Sequence, residues 1–63
     1  MLGENVKRIR TEKKYTRKYL GSLVGVSATT IQMIENGEND NPSLKTLIGL
    51  SKALKVSITT LIK

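Results

Sequence analysis

The sequence predicts an all-α fold of five short helices, and three observations carry that prediction. Apolar residues recur at spacings of three and four, capping residues and glycines stand where those patterns begin and end, and β-branched runs of period two are absent. At 63 residues the chain has the length of a single compact domain, residues 1–63, near the lower limit of what folds without disulfides, metals or a partner subunit.

The first helix is expected over roughly residues 3–14. Leu2, Val6 and Ile9 lie four and three apart with charges between them, and the Lys13-Lys14 pair suits a helix C-terminus. Thr16 is the N-cap of a second helix, roughly 17–24, with Leu20, Leu23 and Val24 on its buried side. Gly25 ends it by taking the left-handed conformation that closes a last turn, and Val26 comes next as an apolar anchor. Ser27 caps a third helix, roughly 28–35, with Ile31 and Ile34 on one side. Asn36-Gly37 stops this helix, and the turn formers through Pro42 make one surface loop. Ser43 caps a fourth helix, roughly 44–54, whose apolar face is Leu44, Leu47, Ile48, Ser51 and Leu54, widened by Leu50 and Ala53. Val56 packs down, Ser57 caps again, and Ile58, Leu61 and Ile62 form a last short helix.

Composition narrows function. Without Cys, Phe or Trp the core is built from Leu, Ile, Val and Ala, and thiolate chemistry is excluded. Without His the commonest metal ligand and general base are missing, and the five carboxylates are scattered. An enzyme would need Lys or carboxylates alone in a domain too small for a sizeable pocket, so the chain reads as no enzyme, with no metal or cofactor. No signal peptide or spanning segment is present, which points to a soluble intracellular protein.

The formal net charge is +6, and seven of the 11 Lys and Arg residues fall in residues 1–18 against Glu4 and Glu12 alone. Such a patch suits a polyanion, most simply nucleic acid; it equally suits a solvated helix face that keeps a small protein soluble.

The segment from Arg17 to Asn36 separates these readings. Two helices crossing steeply through a short turn need a glycine-like bend and an apolar plug, here Gly25 and Val26. They also need a small residue where the backbones approach. Gly21 fits, because a glycine inside a helix costs about 1 kcal/mol and needs a packing reason. With Ile31 and Ile34 inward, helical phase points Thr29 and Asn36 most directly outward, then Gln32 and Met33, with Ala28 and Thr30 flanking. That face carries no charge. Thr, Gln, Met and Ala instead provide amide and hydroxyl hydrogen bonds and methyl contacts to base edges, with Gln suited to adenine and the apolar groups to the thymine methyl.

The same residues resemble the lambda-repressor-like (Cro/XRE-type) helix-turn-helix regulators. The resemblance extends to Gly3-x-x-Val6-x-x-x-Arg10, to Ile34-Glu35-Asn36-Gly37, and to the tail Asn41-Pro42-Ser43-Leu44-x-x-Leu47 with Leu50-Ser51-x-x-Leu54-x-Val56-Ser57-x-x-x-Leu61. The tail is most similar to the Sin-type regulators of sporulating bacteria.

The resemblance implies a third helix that reads bases in the major groove and flanking contacts to phosphates. By position, Arg17 and Lys18 become phosphate contacts or base contacts at the edge of the site, Asn36 a phosphate contact, and Lys45 a weaker one. Ser27, Ala28, Thr29, Gln32 and Met33 become the readers, with Thr30 on the flank. Arg10 and Glu35 stand where the family pairs an arginine with a glutamate, a structural pair if buried and worth little if exposed. Three departures are present. Arg17 replaces a frequent glutamine, the loop at Glu38 and Asp40 is acidic where relatives are often basic, and Tyr19 either packs or reaches toward the DNA backbone.

The implied function is a transcriptional repressor, bacterial or phage-encoded and cytoplasmic, that binds double-stranded operator DNA as a homodimer. No small-molecule ligand or membrane is implied. A competing reading is an antitoxin-like module that holds another protein through Ile58, Leu61 and Ile62 and regulates itself through DNA. A basic membrane-surface peptide fits poorly, since the basic cluster and the longest apolar face lie on different helices.

Overall fold

The computed structural model describes residues 1–63 and contains five helices: α1 (Leu2–Glu12), α2 (Arg17–Val24), α3 (Ala28–Glu35), α4 (Leu44–Leu54) and α5 (Ile58–Ile62). The four expected N-caps all act as such. The side-chain oxygens of Thr16, Ser27, Ser43 and Ser57 accept the backbone N–H of Tyr19, Thr30, Thr46 and Thr60, each supplying one of the partners that a helix start lacks.

Three helices end in the same way. The N–H groups of Tyr15, Val26 and Val56 reach back five residues to the carbonyls of Arg10, Gly21 and Ser51. The residues before them, Lys14, Gly25 and Lys55, take φ of +60°, +90° and +58°. Tyr15, Val26 and Val56 then pack against the core as the apolar anchor of each closure. Left-handed backbone at Lys14 is why α1 stops at Glu12 rather than running to residue 14.

Eight residues form the core: Val6, Ile9, Leu20, Ile31, Ile34, Leu50, Leu54 and Leu61. α2 packs between α3 and α4, while α1 lies against α3 and α5. The close approach at Gly21 is real, since a Cβ there would sit 2.6 Å from the Val26 carbonyl oxygen. Gly3 plays the same part where α1 meets α3, since a Cβ there would overlap the Ile34 carbonyl oxygen. The carboxamide nitrogen of Asn5 donates to the carbonyls of Leu61 and Thr60 at 2.7 and 3.3 Å, tying α1 to the end of α5.

Two expected apolar faces are rotated. Leu23 is exposed, because Gly21 at the crossing moves the buried arc of α2 toward Leu20, Gly21 and Val24. In α4, Leu44 and Ile48 are exposed, and Leu50, read as a flank, is fully buried. Val24 packs directly over Gly49, so α4 presents its Gly49–Leu50 side to the interior. No helix is long and apolar enough to cross a membrane.

Candidate nucleic-acid interface

α2 and α3 meet around the Gly25–Ser27 turn, and the two expected functional surfaces lie on them. On α3, Ile31 and Ile34 are buried while Thr29, Gln32 and Met33 stand exposed, with Asn36 beyond them at the helix end. Ala28 and Thr30 are half-buried on the flanks. The only charged residue of α3 is Glu35, and it is buried, so the exposed surface of the helix is uncharged.

The polar atoms of two expected readers are already engaged. The Ser27 hydroxyl caps the Thr30 N–H at 3.1 Å, and the two hydroxyls lie 3.0 Å apart. That leaves Thr29, Gln32 and Met33 as the side chains with unengaged functional groups on this face, and Ala28 as a methyl surface. Asn36 is also occupied. Its Oδ1 accepts the Glu38 N–H at 3.0 Å and its Nδ2 donates to the Glu38 carboxylate at 3.3 Å.

The flanking cations differ in how free they are. Lys18 is exposed and makes no ion pair, and Lys45 stands exposed at the start of α4. Arg17, one residue away from Lys18, donates from Nε to Glu35 Oε1 at 3.0 Å. Glu35 therefore serves two arginines. Arg10 donates to it from Nε and, at 3.3 Å, from Nη2, and its Nη1 donates to the Tyr15 carbonyl at 2.7 Å. The side chain of Glu35 is 2% exposed and that of Arg10 12%, against 42% for Arg17. The Arg10–Glu35 pair is thus the buried alternative, and removing one partner would leave a desolvated charge unpaired.

The family resemblance implies a phosphate contact, or a base contact at the edge of the site, for Arg17 and gives no hint of its bond to Glu35. No sequence signal links residues 18 apart whose meeting depends on how α2 crosses α3. Tyr19 packs edge-on against Tyr15, ring centroids 4.9 Å apart, while remaining half-exposed. Lys7, Arg17, Gln32, Glu35 and Asn36 line a small polar hollow of about 120 Å³ where α1, α2 and the end of α3 converge.

A helix-turn-helix family model matches residues 6–61. The chain belongs to this family of Cro/C1-type regulators. It is 36% identical to the HTH-type transcriptional regulator SinR of Bacillus subtilis (strain 168) over 62 residues, 98% of this chain and 56% of SinR. It is 41% identical to the HTH-type transcriptional repressor RghR of the same organism over 54 residues, 86% of this chain and 40% of RghR. The chain thus spans about half the length of these relatives. Among solved structures, the P22 c2 repressor in complex with a synthetic operator superposes with a TM-score of 0.95 at 36% identity, covering 100% of this chain and 94% of that one. SinR in complex with DNA superposes with a TM-score of 0.92 at 35% identity, covering 100% of both chains. The family is a class of DNA-binding transcriptional regulators and not of enzymes.

Proposed function

We propose that residues 1–63 act as one sequence-specific DNA-binding unit of a transcriptional repressor, which docks α3 in the major groove of an operator. The supporting observation is the uncharged exposed face of α3 beside the cations at the head of α2. A merely solvated helix usually carries Lys or Glu on its outer face, whereas base edges are read by such hydrogen-bonding and methyl groups. Thr29, Gln32 and Met33 are the principal readers, Ala28 a methyl contact, and Ser27 and Thr30 contribute through their paired hydroxyls, of which that of Ser27 also caps the helix. Arg17, Lys18, Asn36 and Lys45 bind phosphate. Arg10 and Glu35 hold the frame.

Two copies bind a roughly palindromic site with half-sites about one helical turn apart, in the cytoplasm of a bacterium or from a phage genome. The DNA complexes of SinR and of the P22 c2 repressor support this reading. The antitoxin-like alternative is not retained. Of its three contact residues, Leu61 is fully buried in the core and Ile58 half-buried, leaving only Ile62 open.

Selection of bound duplexes from a random pool provides the operator. Titration of that duplex against a scrambled one at two salt concentrations then tests the reading. A preference for the selected duplex is expected, with affinity falling steeply with salt at a log-log slope of about −0.9 per phosphate neutralised. Equal affinity for both duplexes would sink it. Gln32→Ala or Met33→Ala should change which duplex is preferred, whereas Lys18→Ala should weaken all duplexes alike.

A further inference from the structure

We infer that Lys7 and Arg17 grip one and the same backbone phosphate, and that the buried Glu35 carboxylate is the positioning residue that aims Arg17 at it. The inference rests on the DNA-binding reading and deepens it. Its ground is the polar hollow of about 120 Å³, whose walls are Lys7 from α1, Arg17 from α2, and Gln32, Glu35 and Asn36 from the end of α3.

Charge in this hollow is unbalanced. Glu35 is its one carboxylate and is shared by Arg10 and Arg17, so the cluster of three keeps one positive charge. Lys7 is exposed, makes no ion pair and adds a second. The neighbouring carboxylate of Glu38 is held to Asn36. The two arginines are then unequal. Arg10 is nearly buried, and its Nε, Nη1 and Nη2 all have protein acceptors. Arg17 is bonded through Nε alone, and both Nη atoms are without a protein partner on a side chain that is 42% exposed.

A guanidinium fixed at Nε by a rigid, buried acceptor has its plane set, so its outer edge is held ready for a planar or tetrahedral oxyanion. Fixing that edge before binding lowers the ordering cost of the contact. Lysine at position 17 would lack this double use, since a single ammonium faces either Glu35 or the phosphate. Lys7 approaches the same space from α1, a helix that the base-reading surface does not include.

The experiment uses the selected duplex with single neutral methylphosphonates placed, one at a time, along each half-site. Wild type should lose affinity wherever a contacted phosphate is neutralised. Lys7→Ala and Arg17→Ala should each bind the native duplex about tenfold or more weakly. Each single variant should lose part of the wild-type penalty at one and the same phosphate while keeping the full penalty at the others, and the variant carrying both substitutions should become insensitive there, within about twofold. Arg17→Lys should behave as Arg17→Ala does at that phosphate, because charge alone does not restore the aim. Each comparison is a ratio within one variant, so a change in folded fraction cancels.

A reduced penalty at two different phosphates, or at none for Lys7→Ala, overturns the shared grip. Wild-type behaviour of Arg17→Lys overturns the role of Glu35. In both cases wild type would still prefer the selected duplex, whereas failure of the underlying reading removes that preference in wild type itself.

Discussion

The chain turns a steep corner twice, at Gly25-Val26-Ser27 and at Lys55-Val56-Ser57, with nearly one set of parts. In each, a left-handed residue precedes a half-buried valine whose N–H bonds a carbonyl five residues back. A serine then caps the next helix, its hydroxyl paired with that of Thr30 in one case and Thr60 in the other. The helices beyond the two corners differ. α3 has eight residues and an exposed uncharged face, whereas α5 has five and places Leu61 at the centre of the core. Turn chemistry sets the bend, and the face beyond the bend sets the use. The same corner leads to an exposed helix face in one place and to closure of the core in the other.

The largest expected effect tests that second role. Leu61→Ala should destabilise the chain by about 2–5 kcal/mol, because the methyl groups it removes are enclosed and the cavity collapses only in part. Urea unfolding measures it. A loss under about 1 kcal/mol would make α5 an outer appendage and return Leu61 to the pool of partner-binding residues.

Next in size is the contrast between the positions that accept the valine N–H. A Cβ at Gly21 meets a backbone carbonyl at 2.6 Å, which yields only if α2 and α3 move apart, so Gly21→Ala should cost about 1–3 kcal/mol. Such a shift would also displace the exposed face of α3. At Ser51 a side chain is already accommodated, so Ser51→Ala should stay within about 0.5 kcal/mol. Equal melting shifts for the two variants would mean that the corners have equal clearance.

Most of this architecture is legible in residues close in sequence. The caps at Thr16, Ser27, Ser43 and Ser57 are local hydrogen bonds, and Gly25 announces its own backbone, so α2 to α5 begin and end where the sequence places them. Lys14 and Lys55 take the same conformation as Gly25 without any residue-type signal, and the sequence overextends α1 for that reason. The rotated face of α4 has a different origin. Leu44 and Ile48 fit a helical stripe as well as Leu50 does, and only the approach of Val24 over Gly49 decides between the arcs. On α3, helical phase about Ile31 and Ile34 is enough to find the exposed face of Thr29, Gln32 and Met33. The Arg10–Glu35 pair comes from family resemblance, and the third arm, Arg17, from neither source.

The smallest prediction separates the two corners at the left-handed residue itself. Gly25 holds φ of +90° with nothing within 4 Å of a Cβ, so the obstacle to a side chain there is the backbone conformation and not space. Lys55 already carries a side chain at +58° and bears the conformational cost of about 1–2 kcal/mol that L-residues meet in this region. Lys55→Gly should remove it, while the added freedom of glycine in the unfolded chain offsets about 0.4–1 kcal/mol. The net gain expected is therefore about 0.5–1 kcal/mol, read as a rise of a few degrees in Tm. Gly25→Ala should move in the opposite direction by the same difference, about 0.5–1 kcal/mol. A drop in Tm on Lys55→Gly would show that the lysine stem, exposed as it is, stabilises the second corner by more than its backbone strain costs, and the two corners would then be alike in shape but not in what holds them.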